Sequence, residues 1–411
     1  MSGSLVEAAP RANVDRHRRF LAAMTIDAVA GGAILPATTI VLLALTDLRL
    51  PALGAALSLG GILALPAGIW GGNLVDRIGP RAVMMGSNIA QAAGVGGYLL
   101  CHTFGSVAAC TFVAAGGRSI FWGSFGVAVT AISGPGDRET WFARVGGLRN
   151  VGQALGALLA GFALAFHNST AYDLLIILTA AAFVGAVPLM RTVPSMLGSS
   201  AGASSSGSWV VVLRDRNYWP VLAHWATIAM SAHVLAVAIP AYAVVVLHLP
   251  GWVAGATFAL NTLIIGIGQR GLVSRLSGMH RWAALAGAQA LFAASYLMML
   301  GAALCSGAGA IGVVMLAVIV YTLAEATAWP VGSALASEAA ADHLLGRYLA
   351  LNQLSVSAVG AAAPGALSGL LACGAAAVWL PMTAVCGVGA VLTRALAEKV
   401  PAASARISVQ P

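Results

Sequence analysis

The chain has 411 residues, of which 59% are hydrophobic and only 8% are charged, and its formal net charge is +8. This composition excludes an ordinary soluble domain, in which about 25% of residues are charged. The basic residues lie between apolar segments and form no stripe of the kind that binds nucleic acid. We therefore expect a polytopic membrane protein whose partners are the lipid bilayer and a small molecule, and not nucleic acid.

Apolar segments long enough to cross a bilayer recur along the whole chain, since a hydrocarbon core of ~30 Å needs about 20 helical residues. Six lie near residues 20–46, 51–71, 82–101, 105–133, 145–166 and 171–190. Six more lie near residues 218–247, 252–269, 282–304, 308–336, 348–372 and 376–396. The sequence predicts an all-α membrane fold of twelve helices in two six-helix bundles related by pseudo-two-fold symmetry.

The basic residues predict the orientation, because Lys and Arg are enriched in cytoplasmic loops. Eighteen of the 21 Lys and Arg residues, including Arg394 at the very end of the last span, fall in or at the edge of segments that twelve spans place on the cytoplasmic side. Arg49 falls in an outer loop, and Arg118 and Arg149 fall inside spans. Both termini are expected in the cytoplasm, and the chain in the inner (plasma) membrane. The first span has no small-residue cleavage site and is expected to stay attached.

A dense cluster of glycine and charge separates the second span from the third. It reads Gly-Gly-Asn-Leu-Val-Asp-Arg-Ile-Gly-Pro-Arg over residues 71–81. Lipid cannot satisfy charges or irregular backbone. We therefore predict a short turn at the membrane surface.

The chain is predicted to divide into an N-terminal bundle (1–192), a cytoplasmic linker (193–216) and a C-terminal bundle (217–411). The linker contains a Gly- and Ser-rich run at 198–208, which is typical of flexible connections. The halves echo each other, since Leu-Val-Asp-Arg at 74–77 returns as Leu-Val-Ser-Arg at 272–275, and Arg118 aligns with Glu325. Such duplications are common in transporters.

These features make the chain resemble the major facilitator superfamily over essentially its whole length. The charged turn matches the family pattern G-x-L-x-D-R-x-G-x-R at Gly72, Leu74, Asp76, Arg77, Gly79 and Arg81. The resemblance implies that this turn is a gating loop. Asp76 would face the positive end of the eleventh helix, and the two arginines would pair with acids such as Asp137 and Glu139.

The fifth span contains glycines at Gly152, Gly156 and Gly161. This spacing is similar to the G-x-x-x-G-P-x-x-G-G pattern of proton-coupled exporters in this superfamily, with Ala157 in place of Pro and Ala160 in place of Gly. The resemblance implies a hinge or a helix-packing role. Small residues at every fourth position also let helices pack closely in lipid without any antiport role, so generic packing remains the alternative.

Asp27, Arg118 and Glu325 lie well inside their predicted spans, where each charge costs about 2.5–3.5 kcal/mol. They should face the bundle interior or a water-filled cavity. Asp27 is the candidate for proton coupling, with Arg118 as its fixed counter-ion. Glu325 either meets Arg118 or recognises a cationic substrate, and a static buried ion pair is the alternative. The fourth-span pattern of drug antiporters, R-x-x-x-G, is only approximate at Arg118, which is followed by Trp122 and then Gly123.

Two further candidates have competing interpretations. Arg149 lies four or five residues inside the fifth predicted span, so it either belongs to the site or snorkels to the interface. His233 lies near the middle of the seventh span and is either a second proton site or a satisfied interior histidine. Other interior polar residues, among them His224, Asn261 and Gln289, are expected mainly as interhelical hydrogen-bond partners.

The expected function is secondary active transport by alternating access, as proton-coupled efflux of a small lipophilic or cationic drug or secondary metabolite. The alternative is proton-coupled uptake of a small metabolite, such as an anion bound by Arg118 and Arg149. A non-transporting sensor or a membrane enzyme would need a signalling domain or an activated nucleophile, and the sequence contains no sign of either. There is no phosphate-binding loop for ATP, so we expect an ion gradient, with protons favoured over sodium. We expect no cofactor, no metal and action as a monomer.

Overall fold

A computed structural model describes residues 3–133, 138–191, 193, 209–216, 218–338, 345–397 and 406–407. These residues are almost entirely helical. The helices are α1 (Gly3–Leu45), α2 (Leu50–Gly97), α3 (Phe104–Ser133), α4 (Arg138–Ala165), α5 (Ser169–Met190), α6 (Trp209–Arg214), α7 (Trp219–His233), α8 (Ile239–Ala241), α9 (Trp252–Arg275), α10 (Arg281–Ala302), α11 (Gly307–Glu338), α12 (Leu345–Ala372) and α13 (Ala375–Ala397). The short α8, which contains Pro240, lies between the π-helical turns Val234–Ala238 and Tyr242–Val246.

Eleven helical segments among the described residues are long and apolar enough to cross a membrane. The prediction of an all-α, multi-pass membrane protein is confirmed at this level. The predicted span at 82–101 is not one of the eleven. Most of it forms the second half of α2, so the count of twelve stays a prediction.

The charged segment between the second and third predicted spans is not an irregular turn. α2 runs through it, and only Gly79 has a non-helical backbone, with φ 81° and ψ 158°. The break falls there because a residue before proline is disfavoured in the helical region and glycine tolerates positive φ. Pro80 can then begin the next helical stretch. The predicted turn over residues 71–81 is therefore wrong in extent, since the break is confined to one residue.

A second glycine of the same kind supports the internal duplication. α9 ends at Arg275, the last residue of the echoed tetrapeptide, and Gly278 follows with φ 82°. Gly79 lies two residues after its own copy of the tetrapeptide, whereas Gly278 lies three residues after its copy, and the two φ angles are nearly the same. Each half therefore has a glycine of positive φ shortly after the repeated tetrapeptide, which supports the duplication independently of the side chains.

The chain divides into two compact units, one of Met1–Arg49 with Ala56–Ala201 and the other of Leu50–Ala55 with Gly202–Pro411. In the first unit, α1 packs against α4 and α5, around a core that includes Phe20, Met24, Phe121 and Trp141. Most of the predicted linker, including its Gly- and Ser-rich run, lies outside the described residues.

In the second unit, α10 packs against α11 and α13, and α7 packs against α12 and α13. Its fully buried side chains include Tyr242, Tyr296, Tyr321 and Trp379. Three of these four are tyrosines, so the interior of this unit carries hydroxyl groups that need partners.

Candidate functional site

The close approach of α1 to α4 sets the geometry of the first unit. A Cβ atom added at Gly156 would collide with the backbone carbonyl of Val29, and one added at Gly32 would collide with the backbone of Gln153. A Cβ at Gly152 would lie 2.8 Å from the carbonyl oxygen of Thr25. The two helices can therefore touch only because these positions lack a side chain. Gly161, the third glycine of the predicted pattern, is buried further along α4.

One turn from this contact, Asp27 of α1 and Arg149 of α4 form a buried ion pair. Nη1 of Arg149 lies 2.6 Å from Oδ2 of Asp27, and the two side chains are 10% and 4% exposed. The guanidinium also lies 5.4, 4.7 and 5.8 Å from the ring centroids of Phe121, Trp122 and Phe125 on α3. Cations are attracted to aromatic faces within about 6 Å. Arg149 is thus held between a carboxylate and three rings.

The interpretation that Arg149 snorkels to the interface is therefore wrong. The guanidinium is buried against Asp27 and the rings of α3, although the candidate membrane span on α4 begins only five residues before Arg149, at Arg144. The ion pair also belongs to Arg149, whereas Arg118 was the counter-ion that the sequence predicted.

Arg118 of α3 lies near this pair without joining it. No nitrogen of Arg118 is within ion-pair distance of Asp27, although it interacts electrostatically with both Asp27 and Arg149. Its side chain is exposed. The described charges at this point of the first unit are therefore one carboxylate and two guanidinium groups, with a net charge of +1.

Asp27 has spare hydrogen-bonding capacity. Arg149 occupies its Oδ2 atom, and Asn88 of α2 also interacts with the carboxylate. Its Oδ1 atom is buried and makes no hydrogen bond of good geometry within the described part of the chain. A carboxylate in this state can accept one more donor, such as water, or take up a proton.

Glu325 lies in a different environment in the second unit. Its Oε2 atom accepts a hydrogen bond of 2.6 Å from Nδ2 of Asn261 on α9. The same Asn261 nitrogen is 3.2 Å from the hydroxyl of Thr322. Glu325 is half-buried, and among the described side chains no basic group is within ion-pair distance of it. This carboxylate is therefore held by a neutral partner, as the prediction for Asn261 as a hydrogen-bond partner implied.

His233 ends α7 where the π-helical turn begins. Its Nδ1 atom lies 2.8 Å from the carbonyl oxygen of Ala229. A Cβ added at Gly360 of α12 would lie 2.6 Å from its Nε2 atom, so the ring packs directly on that helix. These contacts suit an interior histidine that is anchored to its own helix.

The predicted gating residues are only partly visible. Arg77 is exposed and Arg81 is half-buried, on either side of Gly79. The side chains of Asp76 and Glu139, the environment of Gly72, and Asp137 as a whole lie outside the described residues. The pairing of the two arginines with these acids therefore stays a prediction.

Three solved structures illustrate the fold of the chain. A mutant form of nucleoside transporter NupG is 12% identical and gives a TM-score of 0.74 over 93% of this chain and 99% of that chain. A POT family transporter in complex with a thioalcohol-conjugated peptide is 12% identical, with a TM-score of 0.68 over 94% and 95%. A bacterial homologue of the human lysosomal transporter Spinster, inward-facing and occupied, is 11% identical, with a TM-score of 0.66 over 96% and 98%.

Comparison of the sequence with curated proteins finds no match, whereas comparison with family profiles does. A family profile described as Major Facilitator Superfamily matches residues 20–364, a range that spans both compact units. The chain therefore belongs to the Major Facilitator Superfamily and is a membrane transporter rather than an enzyme.

Proposed function

We propose that this transporter exports a small lipophilic or cationic molecule in exchange for protons. The observation that carries the proposal is Glu325, a carboxylate deep in α11 whose described partner is the neutral amide of Asn261. A carboxylate with no neighbouring cation can hold either a proton or a cationic group. It cannot hold both at once. This mutual exclusion is what an exchange of protons for a cation requires.

Asp27 has a second role in the proposal. When Asp27 takes up a proton, its attraction for Arg149 is lost, while the rings of α3 continue to hold the guanidinium. Since Asp27 and Arg149 lie on the two helices that touch at Gly152 and Gly156, protonation changes the force between α1 and α4. The ion pair would thus convert proton binding into a change of helix packing.

The remaining parts of the proposal follow from the family and the sequence. Twelve helices cross the inner membrane with both termini in the cytoplasm, and transport proceeds by alternating access. The protein acts as a monomer and uses a proton gradient, without a cofactor or metal. Asp76, Arg77 and Arg81 serve as the gate, with Gly79 as the break in the helix.

Arg118 favours a second candidate function, the uptake of a small anion together with protons. Arg118 is not paired with Asp27, and the local net charge is +1. Protonation of Asp27 raises this charge to +2, which strengthens the attraction for an anion. Proton and anion would then favour each other's binding, which is the coupling of a symporter.

Transport by membrane vesicles with an imposed pH gradient distinguishes the two functions. Tetraphenylphosphonium serves as the lipophilic cation, and benzoate as the anion. Under the proposed function, everted vesicles accumulate the cation when their interior is acidic, and Glu325→Gln abolishes this. Asp47→Asn, at an exposed carboxylate, is the matched control and keeps the wild-type rate. Benzoic acid also diffuses through lipid, so vesicles without the protein give the baseline. Accumulation of benzoate above this baseline by right-side-out vesicles in acidic medium, without accumulation of the cation, favours the second function.

A sodium arm tests the driving ion. Vesicles with an imposed sodium gradient and no pH gradient should show no accumulation of either probe. Undiminished efflux by Glu325→Gln would contradict the assigned role of Glu325. Undiminished efflux by Asp27→Asn would contradict only the role of the ion pair.

A further inference from the structure

A ladder of buried polar side chains crosses the second unit. It consists of His224, Thr227 and Ser231 on α7, Gln289 and Tyr296 on α10, and Tyr321 on α11. The three residues of α7 are spaced by three and four positions, so they share one face of the helix. Gln289 and Tyr296 are spaced by seven and share a face of α10. The ladder thus has two polar edges that face each other.

Hydrogen bonds run within and between the helices that carry the ladder, one between two side chains and three from a hydroxyl to a backbone carbonyl. Nε2 of Gln289 donates to the hydroxyl of Thr227 over 2.9 Å, and this hydroxyl donates to the carbonyl of His224 over 2.7 Å. The hydroxyl of Ser231 donates to the carbonyl of Thr227 over 3.1 Å. The hydroxyl of Tyr321 donates to the carbonyl of Ser231 over 2.7 Å. Three helices are therefore connected by polar contacts in the interior.

Several atoms of the ladder are buried without a good partner among the described residues. They are both ring nitrogens of His224, Oε1 of Gln289 and the hydroxyl of Tyr296. His224 faces the carbonyl of Gly389, and Tyr296 faces Ser231. A buried polar atom without a partner costs about 1–3 kcal/mol. Ordered water is the usual way in which proteins satisfy such groups, and each buried water makes about three hydrogen bonds.

Gly389 of α13 makes room for this arrangement. A Cβ atom added there would lie 2.6 Å from both Cδ and Nε2 of Gln289. The amide therefore lies against bare backbone, beside His224. This is an enclosed polar site, formed by α7, α10 and α13, in which neither the imidazole nor the amide oxygen has a partner of good geometry in the part of the chain that the structure describes.

The ladder reaches Glu325 through α11. Tyr321 lies one turn before Glu325 on this helix, and both Tyr296 and Tyr321 interact electrostatically with the carboxylate. The titratable groups that face the ladder are His224 on α7, Tyr296 on α10, Tyr321 and Glu325 on α11, and Cys386 on α13 beside Ser231. At the other end, His224 lies near the start of α7, five residues after Trp219.

We propose that this ladder, completed by ordered water, is a proton path between Glu325 and the end of α7 that begins at Trp219, with His224 as a proton-binding station. The inference rests on the proposed function. The carboxylic acid of Glu325 gives its proton to the hydrogen-bonded chain and becomes a carboxylate. The imidazole of His224 receives a proton from the chain and becomes an imidazolium ion, which then releases a proton to bulk water. The backbone carbonyls that accept from these hydroxyls do not carry a proton, so each transfer runs between a hydroxyl and the water bound to it, and each group gives up one proton as it takes up another.

Two transport modes test this path. Efflux driven by a pH gradient requires Glu325 to lose its proton in every cycle, whereas counterflow of labelled against unlabelled tetraphenylphosphonium at equal pH does not. His224→Gln should slow driven efflux at least tenfold and leave at least half of the counterflow rate. Gln289→Leu should have the same effect. His102→Gln, at an exposed histidine of the first unit, is the control and should affect neither mode.

The outcomes separate the path from the proposed function. If His224→Gln lowers driven efflux and counterflow equally, or lowers neither, the proton path is wrong. If Glu325→Gln abolishes driven efflux while His224→Gln and Gln289→Leu leave it intact, Glu325 releases its proton by another route, and only the path fails. If the wild-type protein moves no tetraphenylphosphonium in either mode, the proposed function fails for cations and the path fails with it.

Discussion

The two units hold their membrane-embedded charge in opposite ways. In the first unit the carboxylate of Asp27 is compensated by Arg149 at 2.6 Å, and Arg118 adds a further positive charge nearby. In the second unit Glu325, which aligns with Arg118 in the sequence, has only the neutral amide of Asn261 as its described partner. A compensated pair is costly to break, whereas a carboxylate with an amide partner can become neutral at little cost. In the proposed function, the first unit would therefore link protonation to helix packing, and the second would change its charge without breaking an ion pair.

The largest effect is expected when the first unit loses its cation. Arg149→Met leaves the carboxylate of Asp27 buried without its partner and removes the cation from the rings of α3. We expect the free energy of unfolding to fall by about 3–5 kcal/mol, which is typical for one partner of a buried pair. Thermal or denaturant unfolding of the purified protein in detergent measures this loss.

A double variant shows whether the charge is the cause. Replacing both partners with apolar residues, as Asp27→Leu with Arg149→Met, should recover most of the lost stability, because buried pairs can be exchanged for hydrophobic residues at little cost. Arg49→Met, at an exposed arginine, is the control. A double variant no more stable than Arg149→Met would mean that the site needs the side-chain shapes rather than the balanced charge.

The next largest effect is expected at the contact between α1 and α4. Gly156→Ala places a Cβ atom against the carbonyl of Val29, which is backbone and cannot rotate away, so the helices must separate. Overpacking of this kind costs about 1–3 kcal/mol. Unfolding in detergent measures the loss, and efflux should fall as well, since the separation also moves Arg149 away from Asp27.

Gly146→Ala on the same helix is the matched control. Among the described residues, no atom outside the adjacent helix backbone lies within 4 Å of a Cβ added at Gly146, and alanine is a better helix former than glycine. This variant should be at least as stable as the wild type. If both variants behave alike, α1 and α4 are not held together at Gly156.

A comparable effect is expected at the two glycines with positive φ. Alanine at Gly79 or at Gly278 must adopt a positive φ that side-chain-bearing residues rarely adopt, which costs about 1–3 kcal/mol. Equal losses at the two positions, measured by unfolding, would support the view that the turns are copies. Gly86→Ala, at an uncrowded position of α2, is the control and should lose nothing. A loss at only one turn would mean that the other relaxes through a neighbouring residue.

The sequence was sufficient for the family and for most of the helices, because charges and apolar runs of about 20 residues are local features. The sequence was misleading where the shape of the backbone depends on a single residue. The cluster of charge at residues 71–81 resembled a turn, yet helical geometry continues through Asp76 and Arg77 and is interrupted only at Gly79. Composition averages over such a segment, whereas one dihedral angle determines its shape.

The rotation of a helix is the other feature that composition does not reveal. Arg118 and Arg149 were both candidates to pair with Asp27, and depth in the membrane favoured Arg118. The sequence did contain a signal for Arg149, since it precedes Gly152 and Gly156 by three and seven positions and so lies on the same face of α4. Residues on the face that touches α1 are those that can reach Asp27.

The smallest effect on stability is expected at Glu325, and it tests the comparison most directly. Glu325→Gln keeps an oxygen that can accept the hydrogen bond from Asn261. The loss of a charged hydrogen bond is offset by the removal of a charge from the membrane interior, which costs about 2.5–3.5 kcal/mol on insertion scales. We expect the unfolding free energy to change by less than about 1 kcal/mol, while driven efflux is lost. Asp27→Asn, the equivalent change in the first unit, leaves Arg149 uncompensated and should be markedly less stable. Suppose instead that Glu325→Gln is less stable than Asp27→Asn. The charge of Glu325 would then be balanced by a partner and needed for folding, and Glu325 could not exchange a proton for a cation as export requires.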